Sequence, residues 1–136
     1  MHTRRRLLAL ASWVLIAPTA RAWSGHSSTR SVVTITAEAL RKLIESRRAP
    51  VLLVDLRSSD AYRAGRLPGA RSIPFEEIAQ RVVELPPEII IVLYCACSID
   101  EVTPVYELLR SRGYRNLVVL ENGLAAWQAR GYPVER

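Results

Sequence analysis

Soft metal ligands are scarce in this chain. It has two cysteines, one methionine and two histidines among 136 residues. So few cysteines argue against a tetrahedral zinc site. No internal repeat is visible, and the length leaves no room for two hydrophobic cores. Disorder and collagen-like order are excluded by an apolar content of 49% with 24% charged residues. The longest apolar run near the start, Leu7 to Ala17, covers about 11 residues, whereas a membrane-spanning helix needs roughly 20. Acids are missing from residues 1–22, which hold four of the basic residues: Arg4, Arg5, Arg6 and Arg21. The rest of the chain has fifteen basic against thirteen acidic residues, a net +2 rather than the +6 of the whole. That near balance removes most of the case for nucleic-acid binding.

Residues 1–22 read as an export signal. Arg4 to Arg6 form a basic head, the apolar run follows, Pro18 ends it, and Ala20-Arg21-Ala22 is a small-x-small cleavage pattern. Trp23 is the expected new N-terminus, which places the protein in the periplasm or outside the cell. Uncleaved, the segment would act as a membrane anchor; once it is cleaved, no stable membrane insertion is expected. The run from Thr3 to Leu8 resembles a twin-arginine signal, but three successive arginines also suit an ordinary secretory head, and the route stays open. Residues 23–31 read as a linker, and residues 32–136 as one folded domain.

Within that domain, short aliphatic runs alternate with amphipathic stretches. Val32, Val33 and Ile35 suggest a strand. Thr36 has the chemistry of an N-cap for a helix over 37–47, with Leu40, Leu43 and Ile44 on its apolar face. Val51 to Val54 has no polar alternation, as in a strand covered on both faces. A polar, partly helical stretch over 55–64, a turn over 65–69 and an extended piece at Ser72-Ile73-Pro74 follow. A helix is expected over 75–83, stopped by Pro86-Pro87. Ile89 to Tyr94 is the strongest strand signal and belongs at the centre of the sheet. The next helix is expected to run to about Arg112 and to be ended by Gly113. Leu117 to Leu120 and a last helix from Leu124 complete the pattern. Alternation of this kind implies an α/β domain of three layers, with a central parallel sheet and helices on both faces.

Ligands of open parallel sheets bind beyond the carboxyl ends of the strands. Cys95 lies there, directly after the central strand and just before a helix. Unpaired N–H groups and the helix dipole at such a place stabilise a thiolate. The competing reading is a buried apolar cysteine. Ser98-Ile99-Asp100-Glu101 fits a capping box. Pro104 would sit better at the first helical position with Thr103 as cap, so a late or irregular first turn is also open.

Three blocks carry a resemblance. The first is Asp55-Leu56-Arg57 with Tyr62, Gly65, Gly69-Ala70 and Ile73-Pro74. The second is Tyr94-Cys95 followed by the rest of a six-residue loop ending at Asp100. The third is Glu121-Asn122-Gly123-Leu124 with Ala126-Trp127 and Gly131-Tyr132-Pro133. In this order and spacing they resemble the single-domain rhodaneses, the thiosulfate sulfurtransferase family, over roughly Val32 to Val134. The resemblance implies a three-layer rhodanese-like fold and sulfur transfer without a cofactor. The Cys95 thiolate would take the outer sulfur of thiosulfate, a persulfide or a polysulfide, and a thiol, cyanide or sulfur-carrier acceptor would then remove it. Loop N–H groups of Ala96, Cys97, Ser98, Ile99 and Asp100 would hold the persulfide. The related cell-cycle phosphatases have a loop one residue longer.

Arg57 is the expected substrate-binding cation, its alternative being an ion pair with Asp55, Asp60 or another acid. Asp55 is expected to orient its strand end, while Tyr94 and Trp127 are expected in the core. Arg66 stands where the family often has histidine and is assigned no role. The pattern also departs from the family. Its members often carry arginines in the loop, whereas this loop has none and ends on Asp100, which opposes an incoming dianion. Asn122 replaces a glycine at a position asparagine tolerates. Cys97 has three readings: a small residue packed under the loop, a partner of Cys95 in resolving or redox chemistry through a small, strained disulfide, or half of a two-thiolate Cu(I) site. A carrier or binding module without catalysis is the remaining alternative.

Overall fold

The computed structural model describes residues 31–136. The signal-peptide reading and all of the linker except Ser31 lie outside the described residues. Five parallel strands form one sheet: β1 (Thr34–Ile35), β2 (Val51–Asp55), β3 (Arg71–Ser72), β4 (Ile90–Tyr94) and β5 (Leu117–Leu120). Their spatial order is β1-β5-β4-β2-β3. The strand with the strongest signal, β4, is therefore central, with β2 and β5 on either side.

Strand alternation sorts the core into two layers. Ile91 and Leu93 of β4 and Val54 of β2 point to one face, where Ile78, Val82, Val102, Val105 and Leu109 pack. Val92 and Tyr94, with Leu53, point to the other, against Ala37, Leu40, Leu124 and Trp127. Helices α1 (Ala37–Ser46) and α5 (Gly123–Ala129) thus cover one face, and α3 (Ile78–Arg81) and α4 (Ile99–Ser111) the other. A shorter helix, α2 (Ser59–Ala64), follows β2. Each fully buried aliphatic side chain in these layers contributes about 1.5–3 kcal/mol.

Local chemistry explains most boundaries. Thr36 Oγ1 accepts from the Ala39 N–H at 3.1 Å and opens α1. The helix ends before Pro50, at Arg47, which is left-handed at φ 51°. Gly113, at φ 96°, follows α4, where the Tyr114 N–H reaches back to the Leu109 carbonyl at 3.1 Å. That is the expected glycine stop. The helix expected over 75–83 is instead three short pieces, with single 3₁₀ turns at Phe75–Glu77 and Val82–Glu84 flanking α3. It ends where expected, since Leu85 is extended ahead of Pro86.

The start of α4 also differs from expectation. The helix begins at Ile99 and runs straight through Pro104. Ser98 occupies the cap position, yet its hydroxyl turns to Glu101 Oε1 at 3.3 Å and makes no bond to the backbone, so the reciprocal box does not form. The N–H that proline lacks would have met the carbonyl of Asp100 four residues earlier, on an exposed residue. One residue earlier, the Thr103 hydroxyl donates to the Ile99 carbonyl at 2.9 Å.

Candidate functional site

Parallel strands put every carboxyl end on one edge of the sheet, and that edge gathers Asp55, Cys95 and Asn122-Gly123. Cys95 leaves β4 directly, is 4% exposed and belongs to the layer beneath α4. Cys97 is half-buried and packs against the same layer, while Ala96, Ser98, Ile99 and Asp100 are exposed along the rim. A disulfide joins Cys95 to Cys97. Cys97 thus packs under the loop, as one reading expected, and also meets the Cys95 sulfur, as the redox reading expected. Its sulfur is close enough to bond because the loop turns back within two residues, bringing the Cα atoms to 5.3 Å. Neither sulfur is a thiolate in this state, so neither is a Cu(I) ligand in it. The Cys97 N–H donates to Cys95 Sγ at 3.0 Å. Among the described residues it is the loop amide that meets the Cys95 sulfur.

Beside the cysteine, a buried ion pair closes the end of β2. Asp55 is fully buried. It accepts the Arg57 backbone N–H at 3.0 Å, Arg57 Nε at 3.0 Å and Arg57 Nη2 at 2.7 Å. Arg57 Nη2 also donates to the Gly65 carbonyl at 2.6 Å, and its guanidinium carbon lies 5.8 Å from the centre of the Tyr94 ring. The bond to Asp55 raises the Arg57 pKa further above its ordinary value, so the cation is permanent. Tyr94, opposite Asp55 in the sheet register, is fully buried, and its hydroxyl accepts the Leu67 N–H at 3.2 Å. Burial, and then the Asp55 charge, push its phenol pKa up, which keeps it neutral.

The ion pair named as the alternative for Arg57 is therefore formed. It occupies Nε and Nη2; among the described residues no acceptor meets Nη1. Arg57 also lines a cleft of about 310 Å³ together with Ala61, Ala64, Gly65, Leu124 and Gln128. Cys95 does not line that cleft. Arg57→Ala is expected to cost about 3 kcal/mol of stability, because it leaves the buried Asp55 carboxylate with a single backbone donor. Urea unfolding followed by circular dichroism measures it, and an unchanged midpoint would show that the pair is dispensable.

Gly123 closes the site from β5, and its contact was not foreseen. A Cβ built on it would lie 1.7 Å from the Cys95 carbonyl oxygen. Both Asn122 (φ 55°) and Gly123 (φ 51°) are left-handed. The asparagine is thus tolerated as expected, and the glycine is required twice, for its torsion and for space. Trp127 is core, as expected, with Nε1 donating to the Pro133 carbonyl at 2.7 Å and its ring edge-on to Tyr132 at 5.0 Å. Arg66, given no role above, ties down the C-terminal segment: its N–H donates to the Glu135 carbonyl at 3.0 Å, and its guanidinium pairs with the Glu135 carboxylate at 3.5 Å.

The sequence pattern of the rhodanese-like domain matches residues 36–130. The chain belongs to the rhodanese-like family. The rhodanese-like domain of an Anabaena protein superposes with a TM-score of 0.67 at 28% identity, over 77% of this chain and 80% of that one. A thiosulfate sulfurtransferase from Pseudomonas aeruginosa superposes at 0.68 with 27% identity, over 79% of this chain but 21% of that larger protein. Among curated relatives, an HTH-type transcriptional regulator of Mycobacterium tuberculosis is 36% identical over 69% of this rhodanese-like chain and 42% of its own length. A sulfurtransferase of Allochromatium vinosum is 31% identical over 62% of this chain and 78% of its own. The chain thus spans less than half of the regulator and most of the sulfurtransferase. The three-layer fold and the rhodanese resemblance both hold, and the family is one of sulfur transfer. Among the described residues, no helix is long and apolar enough to cross a membrane.

Proposed function

We propose that this rhodanese-like protein is a sulfurtransferase that carries sulfane sulfur on Cys95. Thiosulfate, a persulfide or a polysulfide is the donor, and a thiol, cyanide or sulfur-carrier protein is the acceptor. The observation that carries the reading is the position of Cys95. It follows the central strand directly, precedes α4, and has the Cys97 N–H 3.0 Å from its sulfur. That amide and the helix start favour a negative sulfur over a neutral one.

The disulfide is opened first, by an external thiol. The freed Cys95 thiolate attacks the outer sulfur of the donor. With thiosulfate, the S–S bond of the donor breaks, sulfite leaves with the bonding electrons, and Cys95 retains one extra sulfur. Arg57 Nη1 is the donor left over to meet an oxyanion at the cleft. Asp100 and Glu101, both exposed at the loop, repel a dianion, which favours a donor whose sulfane sulfur carries less charge, such as an organic persulfide, over thiosulfate. The same acids support a second reading, a carrier or binding module without turnover.

The test is to reduce the full chain, remove the reductant, add each donor, and read intact mass with peptide mapping. The expected result is that one sulfur atom passes to Cys95, read either as a gain of about 32 Da on that residue or as its later release as sulfide. Neither adduct nor sulfide with any donor would favour the binding module.

A further inference from the structure

We propose that Cys97 is a second reacting group of this site: a resolving thiol that turns the Cys95 persulfide into free sulfide. The inference rests on the Cys95 reading above and assigns what happens next. The structure joins the two cysteines directly, with Cα atoms 5.3 Å apart, inside the range disulfides require. The loop therefore reaches a conformation in which the Cys97 sulfur meets the Cys95 sulfur. The two side chains also differ in access, Cys95 being buried and Cys97 half-buried. An external thiol meets the Cys97 sulfur first, and its attack there frees Cys95 as the leaving thiolate. Electrostatics point the same way. The loop from Cys95 to Asp100 contains no basic residue, and Arg57 has only Nη1 outside its bonds to Asp55 and Gly65. An anionic acceptor must pass Asp100 and Glu101, whereas a thiolate already in the loop does not, and its effective concentration is high.

The steps balance. The Cys95 thiolate takes the outer sulfur of thiosulfate and releases sulfite. The Cys97 thiolate attacks Sγ of Cys95, the Cys95–Cys97 bond forms, the persulfide S–S bond breaks, and hydrosulfide leaves with the electron pair. Two equivalents of an external thiol then reduce the protein disulfide and are themselves oxidised to a disulfide. The net reaction of the protein dithiol with thiosulfate gives protein disulfide, sulfite and sulfide.

The test is a single turnover by the full chain, reduced and freed of reductant, with thiosulfate in one arm and glutathione persulfide in the other. The unmodified chain is expected to release about one sulfide per protein and to end about 2 Da lighter than its reduced form. Cys97→Ser is expected to stop at the adduct of about 32 Da and to release sulfide only when dithiothreitol is added. Equal sulfide from both chains, or a stable adduct on both, would overturn the role of Cys97 and leave Cys95 transfer standing. No adduct and no sulfide from either chain in either arm would overturn the Cys95 reading, and this inference with it.

Discussion

Replacing Cys95 with serine is expected to lower sulfur transfer by about 10⁴-fold or more, the scale on which removal of a covalent nucleophile acts. A serine hydroxyl stays protonated where a thiol ionises, so the step that breaks the donor S–S bond loses its attacking electron pair. The fold is expected to survive. The side chain shrinks little, the Cys97 N–H 3.0 Å from Sγ remains as a hydrogen-bond partner for the hydroxyl, and the lost disulfide closes only a two-residue separation. Such a short link constrains the unfolded chain little, so its loss costs little stability. Sulfite release and thermal unfolding, measured on the same preparation, separate the two effects. An unchanged sulfite yield would remove Cys95 from the mechanism.

Gly123→Ala is expected to have the second-largest effect, through geometry rather than chemistry. The added methyl would sit 1.7 Å from the Cys95 carbonyl oxygen, a backbone atom that no rotamer change can move aside. The left-handed torsion adds about 1–2 kcal/mol for any residue with a Cβ, and overpacking a further 1–3 kcal/mol. A shift of about 1 Å at the reacting group lowers rate by roughly 100-fold. Gly131→Ala supplies the control. That glycine is also left-handed, at φ 69°, but has no atoms within 4 Å of the added carbon. It is expected to lose only the torsional part and to keep its activity. Equal effects from the two substitutions would show that the Gly123–Cys95 contact is unimportant.

The residues differ in how much of this they revealed. Ile90 to Tyr94 and Leu117 to Leu120 were legible as strands because nothing polar interrupts them, and a run covered on both faces must be uniformly apolar. The place of Cys95 between a strand and a helix was legible because it depends only on its immediate neighbours. The Arg57 to Gly65 bond was not, since it depends on the path of the chain around α2. The contact of Gly123 with Cys95 was hidden for the same reason: a family pattern shows that a glycine recurs, not which carbonyl presses on it. Pro104 misled because proline's dislike of helix interiors is an average, here softened because the carbonyl it leaves without a partner belongs to the exposed Asp100.

The one-step alternation of β4 has a consequence for how a donor must be held. Tyr94 and Cys95 are consecutive yet serve opposite layers, and the Asp55–Arg57 pair lies on the Tyr94 side. Sulfur and cation are thus governed by different halves of the molecule, which meet only along the rim of the sheet. A donor held as proposed, by sulfur and cation together, would straddle that seam.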